Sequence, residues 1–201
     1  MNPSCARLPL SFDLEALNAE VRALADDEWV PHFNTGYYIG DWSGAAIRSF
    51  EGRERWLYPD PTTQTSYADT ALLTRSPAIA NALNSFECTL LAARLLRLGP
   101  NSSIKEHTDL DLGIEDGEAR IHVPLSTNDS TIFWLDGQPV PMRAGEAWYL
   151  NLNLRHRVEN RGTTPRIHLV IDSVVNDWFR QIVAASALAG AGLLARDRIR
   201  A

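Results

Sequence analysis

Cysteine is almost missing from this chain. Cys5 and Cys88 are the only two in 201 residues, too few and too far apart for a disulfide framework or a zinc-finger spacing. Lysine is scarcer still: Lys105 stands alone, and every other basic residue is an arginine. No basic cluster occurs before the last few residues, and the formal charge is -6 with a pI near 5.3. A nucleic-acid partner calls for a basic face, so none is expected. The first residues, MNPSCARLPLSFDLEAL, lack the charged-then-apolar order of a signal peptide. The longest apolar stretch, Ile182 to Ala195, is too short to span a bilayer and contains Gly190 and Gly192. No membrane role is expected, and a reducing cytoplasm fits the two cysteines. There is no internal repeat. Oligomeric state is not legible.

Hydrophobic residues make up 45% of the chain, which excludes disorder for the whole and supports one domain with a real core. Asp13 to Ala25 sets Leu14, Leu17, Val21 and Leu24 at helical spacing, with Ser11 or Asp13 as cap. Pro31 ends any continuation. Residues 32–70 mix Gly, Trp, Tyr, Pro and charge and read as loops with short strands. Ser76-Pro77 opens a short helix through Leu83.

From Thr89 the texture changes to strands divided by turn signals. TLLAARLLRL reads as a buried strand, Gly99-Pro100-Asn101 as a turn, and 103–108 and 119–125 as strands. Asp136-Gly137 between 131–135 and 140–142 is a hairpin signal. Strands over 146–150, 155–159 and 166–172 follow, then a helix over 174–189. The expected fold is mostly β with flanking helices. Residues 1–85 form a helical and loop-rich support, 86–175 a small double-sheet jelly roll, and 176–201 a C-terminal helix. The mouth of such a barrel commonly holds a small-molecule site.

His107-Thr108-Asp109 offers an imidazole and a carboxylate two positions apart. In an extended segment these share a face, about 7 Å apart along the strand. His156, in a later strand, is a candidate third ligand. Two histidines and a carboxylate form the facial triad of non-haem iron(II) oxygenases, which leaves positions open for cosubstrate and dioxygen. Taken alone, His107 reads equally well as a surface-loop histidine and His156 as a partly exposed one.

Arg166 begins RIHLVID, where Arg166, His168 and Val170 share one face. An arginine pointing into a barrel needs an anion, and its planar fork suits a carboxylate. One end of 2-oxoglutarate is such an anion; a buried Asp or Glu is the structural alternative. In Arg120-Ile121-His122-Val123, Arg120 and His122 likewise share a face and offer two more groups to a dicarboxylate. Substrate contacts are expected from 32–60 and the hairpin near Trp134, with Tyr37, Trp42, Arg48 and Trp56 as candidates. Arg48 would hold an α-carboxylate. Trp148 reads as core.

The string HTDLDLG, RIHVPLSTND, GEAWYLNL, RHRVEN and RIHLVIDSVVNDWF resembles the aspartyl/asparaginyl β-hydroxylase family, nearest its bacterial branch with the L-proline cis-4-hydroxylases. The resemblance covers about residues 86–180. It implies a cupin-like double-stranded β-helix that binds iron(II) and 2-oxoglutarate and uses dioxygen. His107, Asp109 and His156 match the iron ligands. Arg166 matches the arginine on the distal carboxylate of 2-oxoglutarate, and Arg120 and His122 a pair near its other end. Animal members carry glycine at the Asp109 position; the bacterial free-amino-acid hydroxylases keep the carboxylate. The proline hydroxylases carry a further C-terminal region, whereas this sequence stops soon after the barrel. The implied activity is hydroxylation of an aliphatic C–H of a free amino acid or similar small molecule, with succinate and carbon dioxide released. Two alternatives stand beside it: hydroxylation of Asp, Asn or another residue in a peptide or carrier-tethered substrate, and a non-catalytic metal- or 2-oxoglutarate-binding module.

Overall fold

The computed structural model describes residues 2–57 and 66–198, with side chains described as far as residue 187. Positions 58–60 of the expected substrate segment, and the last three residues of the expected C-terminal helix, lie outside the described residues. The strands run β1 (Cys5–Ser11), β2 (Val30–Pro31), β3 (Tyr38–Ile39), β4 (Trp42–Phe50), β5 (Tyr67–Asp69), β6 (Leu90–Leu98), β7 (Ser102–His107), β8 (Glu118–Ser126), β9 (Thr131–Leu135), β10 (Gln138–Val140), β11 (Glu146–Leu150), β12 (His156–Asn160) and β13 (Arg166–Val174). The helices are α1 (Leu14–Arg22), α2 (Ala71–Thr74), α3 (Pro77–Leu83) and α4 (Asp177–Arg198). No helix among the described residues is long and apolar enough to cross a membrane.

Two antiparallel sheets face each other. The larger has the order β1-β11-β8-β13-β6-β4-β2, with β5 on β4; the smaller is β10-β9-β12-β7-β3. From β6 onward the chain alternates between them, with the β9–β10 hairpin kept in the smaller sheet, which is the winding of a jelly roll. That hairpin turns on Asp136 and Gly137, at φ 49° and 73°, the positive pair that a two-residue turn with the right twist requires.

Period-2 patterning assigns the two faces of the larger sheet. Ile121 and Val123 of β8, Leu95 of β6 and Leu169 and Ile171 of β13 face outward and pack under α1, α3 and α4, against Leu17, Ile79 and Phe179. Each such side chain, fully buried, contributes about 1.5–3 kcal/mol. The opposite parity, Leu96, Leu98 and Val170, meets Ile104, Phe133 and Val158 of the smaller sheet. That second layer is interrupted by charge, and the interruption is where the cavity lies.

The N-terminal third differs from expectation. Beyond the loops and short strands expected over 32–70, it supplies β1, paired to β11, and β4, a nine-residue strand inside the larger sheet between β6 and β2. The register in β4 shifts between Ala46 and Arg48. The cap of α1 is Asp13, whose side chain accepts from the Ala16 amide at 3.0 Å, satisfying one free donor of the first turn. The last helix starts at Asp177, with the Asn176 side chain accepting from Phe179 N.

Asn160, at the end of β12, ties the sheets together. Its amide nitrogen donates to the carbonyls of Leu98, Gly99 and Thr164 at 2.9–3.1 Å, and its oxygen accepts from Thr131 Oγ1 and the Gly162 amide. It is 1% exposed, so truncation strands several polar groups away from water. Asn160→Ala is expected to lower unfolding free energy by about 2–4 kcal/mol in urea titrations. A change below about 1 kcal/mol would mean that water replaces the side chain.

Candidate metal centre

Strand pairing sets the two histidines side by side. His107 closes β7, His156 opens β12, and the two are register partners, their ring centroids 4.2 Å apart. Each ring is fixed by its own backbone. Nδ1 of His107 lies 2.7 Å from the Lys105 carbonyl, and Nδ1 of His156 lies 3.0 Å from the Leu154 carbonyl. A carbonyl only accepts, so each Nδ1 carries the proton and each Nε2 keeps its lone pair, the form a metal ligand needs. Phe133 stacks parallel on His156, and Tyr37 lies over His107.

Asp109 reaches the same point by another route. β7 ends at His107, so the carboxylate is carried by the following loop and not by the pleat that the spacing suggested. Its amide donates to the Leu152 carbonyl at 2.9 Å. Oδ1 lies 3.8 Å from Nε2 of His107, and Oδ2 accepts from Arg120 at 2.5 Å. One ligand atom from each of His107, Asp109 and His156 lies within 4.8 Å of the others. Burial raises the Asp109 carboxyl, yet Arg120 and the two histidines pull it below the ordinary range. Burial pushes His156 down to about 4, against the opposing effect of the hydrogen bond it donates to the Leu154 carbonyl.

A cavity of about 510 Å³ opens from this cluster. Deep in it is Arg166, 2% exposed. Its NH2 donates to Nδ1 of His168 at 2.8 Å; among the described residues its Nε has no hydrogen-bond partner and no carboxylate pairs with it, and burial lowers its pKa to about 9. His122 is beside it, with Nδ1 3.3 Å from Nδ1 of His168 and a buried, unpartnered Nε2. The residues present fit both groups that the triad suggests. The ligand set suits iron(II), and an unpaired buried guanidinium with a second orphaned nitrogen suits a carboxylate.

Arg120 has a different setting from the one expected. Its Nε and NH2 donate to Asp172 at 2.6 and 3.0 Å, and its NH1 holds Asp109, so it bridges two carboxylates and is not a free cation awaiting cosubstrate. Asp172 also accepts from Arg94 at 2.9 Å. The sequence does contain a trace of this pair. Asp172 has the parity of Arg166 in β13, and in the apolar run of β6 Arg94, unlike Arg97, shares the parity of Leu96 and Leu98.

The substrate candidates divide. Tyr37 and Trp42 line the cavity. Arg48 does not: it donates to Asp69, the Tyr67 carbonyl and the Leu90 carbonyl and fastens β5 to β4. Trp56 packs near Phe50 beneath the Arg53 guanidinium, off the cavity. Trp134 alternates with the inward Phe133 and Leu135, faces out of the sandwich, and is covered by Arg157. His32, for which the sequence gives no signal, lines the cavity and stacks on Trp42 at 3.5 Å. Trp148 is core, as read, and donates to Glu146.

Known proteins align with this arrangement. An L-proline cis-4-hydroxylase from Rhizobium meliloti (strain 1021) is 25% identical over 176 residues, which are 81% of this chain and 58% of that protein. This chain thus spans a little over half the length of that relative. Among solved structures, an oxidoreductase of the 2OG-Fe(II) oxygenase family from Burkholderia pseudomallei superposes with a TM-score of 0.53 at 17% identity, over 86% of both chains. The non-heme alpha ketoglutarate dependent epimerase SnoN of nogalamycin biosynthesis gives 0.54 at 13% identity, over 86% of this chain and 77% of that one. Identities this low attest the cupin-like jelly roll and nothing finer. The model of the family described as Aspartyl/Asparaginyl beta-hydroxylase, by contrast, matches residues 12–175 and takes in every strand that lines the cavity, and the chain belongs to that family.

Proposed function

We propose that this protein is an iron(II)- and 2-oxoglutarate-dependent dioxygenase that hydroxylates an aliphatic C–H bond of a free amino acid or amino-acid-like small molecule. The observation that carries this reading is the coexistence, in one cavity, of the His107–Asp109–His156 cluster and the buried, anion-less Arg166. When bound, iron(II) with 2-oxoglutarate and dioxygen supplies an oxidant able to replace an unactivated hydrogen by hydroxyl, releasing succinate and carbon dioxide. His107, Asp109 and His156 would hold the iron, and Arg166 with His122 the cosubstrate.

The protein's own residues supply position and exclusion. The Lys105 and Leu154 carbonyls keep both imidazoles in the metal-binding tautomer. Aliphatic side chains such as Leu96, Val158 and Val170 line the cavity and keep water from the reacting centre. Trp42, Tyr37 and His32 form an aromatic wall on which an aliphatic or ring-bearing substrate packs. The similarity to an L-proline hydroxylase supports a free amino acid as the substrate class. One observation favours a larger substrate as the second reading: Leu110, beside the ligand Asp109, is 76% exposed, and Phe33 and Tyr37 stand open at the same mouth, an apolar rim that a peptide or tethered residue would cover.

Incubation with iron(II), 2-oxoglutarate and a panel of free amino acids and short peptides, read by succinate release and product mass, decides between them. The expected result is a gain of one oxygen on a free amino acid. Gain only on a peptide would replace the first reading by the second, and no gain with any member would contradict both. In the same assay Arg166→Ala is expected to raise the apparent KM for 2-oxoglutarate about 10–100-fold, the worth of one or two charge-assisted hydrogen bonds. An unchanged KM would remove 2-oxoglutarate from the account.

The burial that keeps the imidazoles neutral also sets an acid limit. Burial holds His156 and His32 at about 4, with Arg94 adding to the effect on His32; it carries His122 and His168 well below the ordinary value. Unfolded histidines titrate near 6.5. Between these values the unfolded chain binds more protons, so stability rises with pH and is lost as pH falls from about 6.5 toward 4. The carboxylates act lower still: Asp172 is raised by burial but held well below its ordinary value by Arg120 and Arg94. Urea midpoints of the metal-free protein are expected to be level between pH 7 and about 8 and to drop between pH 6.5 and 4. Midpoints level through that interval would mean that the histidines are not held neutral.

A further inference from the structure

We propose that Asp172 is a positioning residue for the metal site: through Arg120 it fixes which oxygen of Asp109 faces the ion. The proposal rests on the iron-triad reading above. Its starting point is that Asp109 is a loop residue. His107 and His156 are locked by strand pairing and by their own backbone carbonyls, whereas nothing in a strand pleat sets the Asp109 side chain. What sets it is Arg120, whose NH1 holds Oδ2 at 2.5 Å and leaves Oδ1 on the side of His107 Nε2.

Arg120 is in turn held on its other edge. Asp172 is its register partner across β8 and β13 and accepts from both Nε and NH2, a fork-to-carboxylate geometry that fixes the plane of the guanidinium. Arg94, on the neighbouring strand β6 and the register partner of Val170 in β13, donates to the same Asp172 oxygen that Arg120 NH2 uses. Arg94 and Asp172 are 8% and 9% exposed. The chain Asp109–Arg120–Asp172–Arg94 thus starts in the loop after β7, crosses the three adjacent strands β8, β13 and β6, and contains two charges of each sign. Removing Asp172 would free the guanidinium to rotate and leave two buried cations beside a site meant for a dication. Both effects weaken metal binding.

The test is cobalt(II) binding to the metal-free protein, followed by calorimetry and by the visible d–d spectrum. Asp109→Ala is measured first. If it binds cobalt as the parent does, the triad reading itself fails, separately from this proposal. With a loss in Asp109→Ala, Asp172→Asn is expected to weaken cobalt about 10–100-fold, in the range found for partners of metal ligands, and to shift the spectrum toward that of Asp109→Ala. Parent-like affinity and spectrum would overturn the proposal. The double variant Asp109→Ala/Asp172→Asn is expected to lose less affinity than the two single losses combined; a fully additive loss would show that Asp172 acts other than through Asp109 and would overturn the proposal. Should Asp172→Asn fail to fold, Arg120→Lys decides. It keeps the charge but lacks the two-edged fork, so the same loss and spectral shift are expected, and parent-like binding would overturn the bridge.

Discussion

The antiparallel pairing of β7 with β12 is the contact on which the cavity depends. It places His107 opposite His156, and each strand also fixes the ring it carries, because the carbonyl two residues back accepts from Nδ1. Two Nε2 lone pairs are therefore aimed before any ion arrives. The pairing joins the two halves of the smaller sheet, so the same hydrogen bonds that build the sandwich bring together two of the three proposed metal ligands. A one-residue slip in register would turn one of the histidines to the other face.

Electrostatics then separates the cavity into two parts. Around Asp109, charge is already balanced by the arginine–carboxylate chain through Asp172. Around Arg166 it is not: among the described residues a fully desolvated guanidinium has a neutral histidine for company and no carboxylate. A protein interior carries an unpaired charge at high cost, so the imbalance points to an anionic ligand as the missing partner. The balanced half is suited to hold its geometry, and the unbalanced half is suited to bind.

Much of this was readable beforehand, for a physical reason. Period 2 along RIHLVID and RIHV sorts residues into faces without knowledge of the fold, so Arg166 with His168, and Arg120 with His122, each share one. What alternation leaves open is which strands are neighbours. Arg120 therefore looked available, although β13 brings Asp172 against it. Trp134 alternates with Phe133 and Leu135, but alternation alone does not say which of the two faces is inside. Over β4 the sequence suggests only short strands, because Gly44, Ala45 and Ala46 lack the β-branched signature, and β1 is not predicted although Ala6 and Leu8 alternate with Arg7 and Pro9, since a proline demotes the run. Arg48 was placed in the substrate site by its charge alone; the backbone carbonyls of Leu90 and Tyr67 that occupy it have no signature in sequence.

The central claim is that one metal ion is shared by His107, Asp109 and His156, with a dicarboxylate reaching from it to Arg166. Anomalous diffraction at the iron edge, from crystals grown without oxygen in iron(II) and 2-oxoglutarate, tests it most directly. The account predicts a single peak bounded by Nε2 of His107, Oδ1 of Asp109 and Nε2 of His156, with density for a carboxylate on the Arg166 guanidinium. A peak elsewhere, or iron in place with Arg166 still lacking an anion, would contradict it.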